Sequence, residues 1–474
     1  MTVFQRCINS DRRKEPEHPD RHLCSLQITP ATLMMISFII LIAIGTLLLM
    51  LPGTTYREIS FIDALFTSTS ASCVTGLTVL GTGSDFTIWG QLVILFLMQI
   101  GGISILAFAT FFAAFFSSSR IGVKQQHLLK DFFATSTITD SISLLREIVL
   151  ATILIEIVGV VSLFFYWNST GLFAHNWENL YYALFHAISA FTNAGFCLWN
   201  ESFMHEAMAN SYFPQIVVMV LILFGGMGFI FLHDLFSPKQ IKERHIHKWR
   251  RLNPSTKIVL YTTLVIVSGG ALIFYLLEQN NTLAPLGGFG KSLFASLFQI
   301  VTSRSAGFNR LDVSMFSVPA LLLIMLVMFV GASPGSTGGG IKTSTAFVIF
   351  KSVAATIRGR KSIEFQKKTI PFEIVDKAYS IVVMSLIIIL ISLFALTIAE
   401  PQFPFISLLF ESVSSFSICG LSMGCTPELS DIGKLILVLD MYIGRIGTLS
   451  IAFALARRVR ETQHQYPNTY FMVG

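Results

Sequence analysis

Hydrophobic positions along the chain gather into eight long runs, and these come in pairs separated by shorter amphipathic stretches. A bilayer core of roughly 30 Å needs about 20 apolar residues in a helix. The first pair covers about Thr32 to Leu51, stopped by Pro52 and Gly53, and about Trp89 to Phe116. The second covers Ser141 to Trp167 and Pro214 to Phe236; the third covers Thr256 to Leu277 and Val318 to Phe350. The last of these runs is too long and too rich in glycine for one plain helix. The fourth pair covers Asp376 to Ala399 and Ile432 to Ala456.

Inside each pair lies an apolar segment of only about a dozen residues, too short to span, which the pattern predicts as a re-entrant helix. The four segments are alike. FIDALFTSTSASCVTGL ends at Leu77, NLYYALFHAISAFTNAGF at Phe196, SLFASLFQIVTSRSAGF at Phe308 and FISLLFESVSSFSICGL at Leu421. Each closes on a glycine, Gly76, Gly195, Gly307 or Gly420, and these are 119, 112 and 113 residues apart. A lone glycine turn between apolar segments is an ordinary helix connection, but four related copies predict a repeated unit. The expected fold is an all-α integral membrane protein: four fused helix, pore-loop, helix repeats around a central pore, with eight transmembrane helices and four re-entrant pore helices. The repeats fall at 30–120, 141–238, 255–351 and 376–457, with tails at 1–29 and 458–474.

A composition of 53% hydrophobic and 13% charged residues excludes an ordinary soluble domain. The net charge of +6 does not call for nucleic acid, because 26 of the 33 Lys and Arg residues lie in the N-terminal tail, the loops between repeats and the C-terminal tail. If the helices alternate, all of these face one side, so both termini are expected in the cytoplasm and the pore loops open outward.

The repeated glycines carry the candidate chemistry. A cation filter needs several successive carbonyls turned into a narrow pore, and glycine permits the positive φ that such a turn requires. The candidate linings are Cys73, Val74, Thr75 and Gly76; Thr192, Asn193, Ala194 and Gly195; Arg304, Ser305, Ala306 and Gly307; and Ser417, Ile418, Cys419 and Gly420. Their side chains differ while the glycine recurs, so the backbone is the common ligand. Re-entrant helices that end near mid-membrane would add four carbonyl ends, each worth about half a negative charge.

A second glycine follows each filter glycine by 24 to 30 residues: Gly101, Gly225, Gly331 and Gly444. Small residues there let helices approach closely. The next position holds Gly102, Gly226, Ala332 and, in repeat four, Arg445. A basic residue in mid-helix costs several kcal/mol unless it is paired or faces water. Arg445 is expected below the filter, either as an electrostatic barrier or as a cap on the carbonyls of a broken helix. In repeat three, GASPGSTGGGIKTS from Gly331 to Ser344 cannot continue as a helix, and with Lys342 it survives at membrane depth only against protein or a wet cavity. Its gating candidates are Gly331, Gly335, Ser336, Thr337, Gly338, Gly339, Gly340 and Lys342; a static broken helix is the alternative.

Other signals are weaker. Gly335 and Gly340 have phosphate-loop spacing, but Ile341 separates Gly340 from Lys342 and no strand precedes them. The six cysteines show no metal-ligand spacing. Glu156 and His186 read as satisfied structural groups, and Asp63, Glu178, Asp312, Glu411 and Glu428 are expected around the outer mouth. A membrane enzyme would need a convergent cluster of His, Asp, Glu or Cys, and the sequence displays none.

The VTGL, TNAGF, SRSAGF and ICGL turns, the glycine-rich interruption in the third unit and GRIGTLS in the fourth resemble the superfamily of potassium transporters that includes Trk, Ktr and HKT proteins, over about residues 30–460. Trk-type members carry a further helix pair ahead of the first unit, so the single span here is similar to the membrane subunits of bacterial Ktr systems. The resemblance implies K⁺ uptake across the plasma membrane (the bacterial inner membrane), with no catalytic residues or covalent cofactor, and leaves Na⁺ dependence open. It also implies a homodimer with one pore per subunit and a cytosolic, KtrA-like nucleotide-binding regulator. It assigns K⁺ to the filter residues around Gly76, Gly195, Gly307 and Gly420, the gate to Gly331 through Ser344, and the pore arginine to Arg445. The alternative is an ion-coupled symporter working by alternating access, for which paired half-helices in inverted repeats are expected.

Overall fold

The computed structural model describes residues 30–103, 138–209, 211–237, 241–242, 245–246, 252–360, 362–366 and 368–448. Both tails, the helical extensions expected after Ile103 and Thr448, and part of the basic loop at 237–257 lie outside the described residues.

One order of elements recurs four times. A long apolar helix, Pro30–Leu49, Ile138–Thr170, Pro254–Glu278 or Phe372–Ala399, is followed by a short one, Phe61–Cys73, Asn176–Thr192, Phe289–Thr302 or Phe405–Phe416. A connecting segment, which in repeats two, three and four contains short helical turns, then leads to a further helix beginning at Ile88, Tyr212, Val318 or Asp431. Among the described residues, four helices are long and apolar enough to cross a membrane: Thr32–Leu49, Glu147–Thr170, Pro254–Glu278 and Phe372–Ala399. The first helices are apolar on all sides, so their exposed Ile, Leu and Phe side chains face a hydrocarbon solvent rather than water. A two-stranded hairpin, Glu364–Phe365 with Lys368–Thr369, packs beside a small cluster of Val348, Ile363, Val375 and Ala378.

Among the described residues, four larger apolar clusters hold the repeats together, and each lies at a junction between neighbours. Val74, Ile94 and Leu97 of repeat one pack with Phe185 and Phe196 of repeat two. Phe191 and Phe203 join Phe298 and Phe308 of repeat three. Phe274 and Ile324 meet Phe410 and Phe416 of repeat four. Leu437 and Met441 return to Ile42, Phe66 and Leu77 of repeat one, which closes the ring. A salt bridge of 2.7 Å between Lys434 and Asp63 crosses the same seam.

The later helices are interrupted more often than the sequence implies. The run from Pro214 to Phe236, expected as one helix, divides into Tyr212–Met227 and Phe229–Phe236 at Gly228. Gly228 has φ +90°, and the Phe229 N–H donates to the Gly335 carbonyl at 2.8 Å, so repeat three's loop replaces a helical partner. In repeat four the helix Asp431–Ile446 likewise breaks at Gly447, φ +90°, and the rest of the run expected to Ala456 lies outside the described residues after Thr448. The expected break in repeat three is present, between Val318–Phe329 and Thr343–Ile357.

Two buried carboxylates fix how the later helices start. Glu278 accepts from the N–H and hydroxyl of Ser317, at 2.9 and 2.6 Å, and Glu400 accepts from the Ser430 N–H at 2.8 Å and from Gln402 at 2.6 Å. Ser317 and Ser430 are the N-caps of Val318–Phe329 and Asp431–Ile446, whose first amides lack helical partners. Glu400→Ala should therefore destabilise the fold by about 2 kcal/mol, the scale of hydrogen bonds to a charged group. Thermal melts in detergent measure this, and an unchanged melting temperature removes the role.

Candidate functional site

Each short helix delivers its chain directly into one of the glycine turns. The residue two before each glycine is in the left-handed region although it is not glycine: Val74 at φ +64°, Asn193 at +60°, Ser305 at +66° and Ile418 at +54°. The glycines follow at +94°, +71°, +76° and +87°. Left-handed residues thus alternate with others in all four copies. The helix ends close by backbone bonds of the kind that left-handed caps make. Thr75 N–H donates to Ser70 O at 2.7 Å, Ala194 N–H to Ser189 O at 2.8 Å, and Cys419 N–H to Ser414 O at 2.9 Å.

A hydroxyl then pins each turn from behind. The Gly76 N–H donates to Ser70 Oγ at 3.1 Å and the Phe308 N–H to Thr302 Oγ1 at 2.7 Å. Ser189 and Ser414 donate to the carbonyls of Phe196 and Leu421, at 2.7 and 2.6 Å. These four residues were missed from the sequence. The signal available was a Ser or Thr five or six residues before every repeat glycine.

The four turns meet in a closed ring. A Cβ placed on Gly76 would collide with the carbonyl oxygen of Ala194, one on Gly195 would lie 2.6 Å from that of Ala306, one on Gly307 2.6 Å from that of Cys419, and one on Gly420 would collide with that of Thr75. The side chains of Val74, Thr75, Asn193, Ala194, Ser305, Ala306, Ile418 and Cys419 are all fully buried in the surrounding protein. Their diversity is packing chemistry, and backbone is what remains at the ring. All four glycines also line a cavity of about 410 Å³ on one side of it, together with Thr78, Asn309 and Asp312.

Of the acidic residues expected at this mouth, Asp312 lines the cavity and Asp63 is paired with Lys434. Glu411 is fully buried instead. It accepts from Ser422 Oγ at 2.5 Å, Thr426 Oγ1 at 2.8 Å and Met423 N at 3.2 Å, and so ties down the chain that follows Gly420.

Across the ring lies the segment from Gly331 to Lys342. A Cβ on Gly338 would lie 3.0 Å from that of Ser305, and one on Gly339 2.6 Å from that of Ile418, so the loop packs against two of the left-handed residues. Ser333 and Thr337 N–H donate to Gly226 and Gly225 carbonyls at 2.9 and 3.3 Å, and Arg304 Nη2 reaches the Gly331 carbonyl at 3.4 Å. The Thr337 hydroxyl lies 3.2 Å from the Asn193 amide. Gly335 is exposed, Ser336 and Gly340 are half-buried, and Thr337 is fully buried.

Two cations bind this loop's carbonyls. Lys342 Nζ donates to Gly338 O at 2.7 Å. Arg445 donates from Nη1 to Thr337 O and from Nη2 to Gly101 O, and so links repeats four, three and one below the ring. The second glycines show why the helices come so close: a Cβ on Gly101, Gly225 or Gly444 would collide with the carbonyl of Ser72, Phe191 or Phe416, each four residues before a ring glycine. In repeat three Gly331 instead faces its own loop at the carbonyl of Gly339.

The fold and the ring together define a class: four related helical repeats whose short helices and turns meet at one backbone-lined constriction. Within it, the chain belongs to the TrkH family of cation transport proteins, which matches residues 16–465. It is 38% identical over 462 residues to the Ktr system potassium uptake protein B of Bacillus subtilis, covering 96% of this chain and 99% of that protein. It is 32% identical over 456 residues to the potassium/sodium uptake protein NtpJ of Enterococcus hirae, covering 94% and 98%. Its fold matches the crystal structure of the potassium transporter TrkH from Vibrio parahaemolyticus with a TM-score of 0.69 at 19% identity, over 94% of this chain and 87% of that one.

Proposed function

We propose that this chain is the membrane subunit of a Ktr-type K⁺ uptake system in the bacterial plasma membrane. K⁺ passes through the ring of Thr75, Ala194, Ala306 and Cys419 carbonyls with Gly76, Gly195, Gly307 and Gly420, and the 331–344 loop with Arg445 gates it from below. The observation that carries this is the closure of the ring: four turns, each seated against the next one's carbonyl, bury every side chain between, which leaves backbone oxygen as the ligand for dehydrated K⁺ in this reading. Four short helices ending at the ring add negative potential there. The name of the Bacillus relative supports K⁺ as cargo, and that of the Enterococcus relative supports a role for Na⁺.

The same reading gives each repeat two spans and a re-entrant helix, eight and four in all, within the limits 30–120, 141–238, 255–351 and 376–457. It places both termini in the cytoplasm and makes the protein a homodimer carrying a KtrA-like nucleotide-binding regulator. Purified protein in liposomes should take up Rb⁺ down a K⁺-type gradient, and the response to a separate Na⁺ gradient decides Na⁺ coupling. Absence of Rb⁺ or K⁺ flux in a folded preparation refutes the function.

Arg445→Gln should change the transport rate several-fold and also lower the melting temperature modestly, because one neutral amide replaces two charge-assisted bonds to the Thr337 and Gly101 carbonyls. A fall in stability with an unaltered rate per folded molecule would assign Arg445 a structural role alone.

A further inference from the structure

Beside the repeat-two turn stand a thiol and an imidazole that the transport reading does not use. Cys197 follows Gly195 by two residues, is 8% exposed and lines the 410 Å³ outer cavity. Among the described residues it is the one cysteine that does so. Cys73 and Cys419 are fully buried, and the Cys425 thiol is held by Glu411 at 3.3 Å.

His186 faces the Cys197 thiol with Nε2 3.2 Å from Sγ. Its Nδ1 lies 2.8 Å from the Tyr182 carbonyl oxygen, which can only accept, so the ring proton sits on Nδ1. Nε2 is left unprotonated, with its lone pair as an acceptor. The groups that meet it are both donors, the Cys197 S–H and the Leu198 N–H at 3.4 Å. Trp199 stacks on the imidazole at 4.5 Å and Trp167 meets its edge at 6.0 Å, which fixes the ring's direction. A neutral imidazole oriented through its other nitrogen by a backbone carbonyl is the usual preparation of a histidine metal ligand.

We propose that Cys197 Sγ and His186 Nε2 form a binding site for soft monovalent metal ions, Ag⁺ or Cu⁺, at the outer mouth, and that its occupancy blocks cation entry. The thiolate selects soft ions and the imidazole, a borderline donor, also binds them, whereas K⁺ takes oxygen. Binding breaks the Cys197 S–H bond and forms a sulfur–metal bond; the proton leaves to water in the cavity, and no electron changes hands. The Nε2 lone pair supplies the second donor from the place where it had accepted the thiol proton. Met204 lines the same cavity and offers a thioether nearby. A monovalent ion reaches the site by the path open to the transported ion, and once bound it sits two residues from the ring.

Full-length protein in chloride-free buffer provides the test. AgNO₃ should inhibit Rb⁺ uptake into proteoliposomes at concentrations ~100-fold lower for the parent than for Cys197→Ala, each referred to its own uninhibited rate. Metal analysis of the purified chains, which does not depend on the transport reading, should find one Ag⁺ per chain fewer in Cys197→Ala. Silver K-edge absorption of the loaded parent protein, which needs no substitution at the buried histidine, should show a sulfur and a nitrogen neighbour at the ion that Cys197→Ala loses. Equal Ag⁺ sensitivity or equal Ag⁺ content in the two chains overturns the site, and sulfur coordination without nitrogen overturns the pairing with His186.

Discussion

Gly307→Ser should bring the K⁺-over-Na⁺ preference of the reconstituted protein down by tenfold or more. Gly307 has φ +76°, a region in which an L-residue costs roughly 1–2 kcal/mol. The added Cβ would also stand 2.6 Å from the Cys419 carbonyl oxygen and 3.2 Å from the Gly420 Cα. Both obstacles are backbone, so no side-chain rotation relieves them. The turn cannot simply retreat, since the Phe308 N–H is bonded to Thr302 at 2.7 Å and the Ser305 hydroxyl reaches the Ser417 carbonyl at 3.3 Å. The ring must open between repeats three and four, displacing one of its carbonyls. About 1.4 kcal/mol lost from the difference between K⁺ and Na⁺ coordination accounts for the tenfold change. Competing Rb⁺ and Na⁺ fluxes in liposomes measure it; a ratio equal to that of the parent protein removes Gly307 from the filter.

Gly307 and its three counterparts are plain in the sequence, because glycine alone tolerates both the angle and the close approach. The neighbouring positions were much less legible. Val74 and Ile418 are β-branched residues at positive φ, where local preference argues strongly against them. They are held there by contacts distant in sequence: Ile418 packs on Gly339 of another repeat, and Val74 is buried in the cluster joining repeats one and two. A local rule applied to either would give the wrong backbone.

The break at Gly228 has the same origin. Nothing between Pro214 and Phe236 requires it, and its cause is the Gly335 carbonyl more than a hundred residues along the chain. Glu411 is buried rather than solvated for the opposite reason, although Ser422 and Met423, which it holds, line the cavity at the mouth. Its charge suggested solvent, while the hydroxyls and amides that satisfy it come from a loop whose path depends on the turn at Gly420. Hydrophobic runs and the recurring glycines thus reveal the order of the elements. What joins one repeat to the next is written in single polar atoms that carry no period.

Deleting Ser336 to Gly340 should raise cation flux several-fold, the largest gain expected of any change in this chain. The deletion removes both carbonyls that hold cations beneath the ring, those of Thr337 and Gly338, and it removes the glycines seated against Ser305 and Ile418. Arg445 keeps one acceptor, the Gly101 carbonyl, and loses its tie to repeat three. The ring itself should survive, because its turns are pinned by Ser70, Ser189, Thr302 and Ser414, none of which touches the deleted residues. Selectivity is therefore expected to persist while the rate increases, which separates obstruction from ion recognition. A plug and a spacer differ in this respect. If the segment only filled space between helices, its loss would let repeats two and three collapse together, and flux and melting temperature would fall in parallel. Rb⁺ uptake with and without competing Na⁺, set beside a thermal melt of the same preparation, distinguishes the cases; unchanged flux in a folded variant ends the gate assignment.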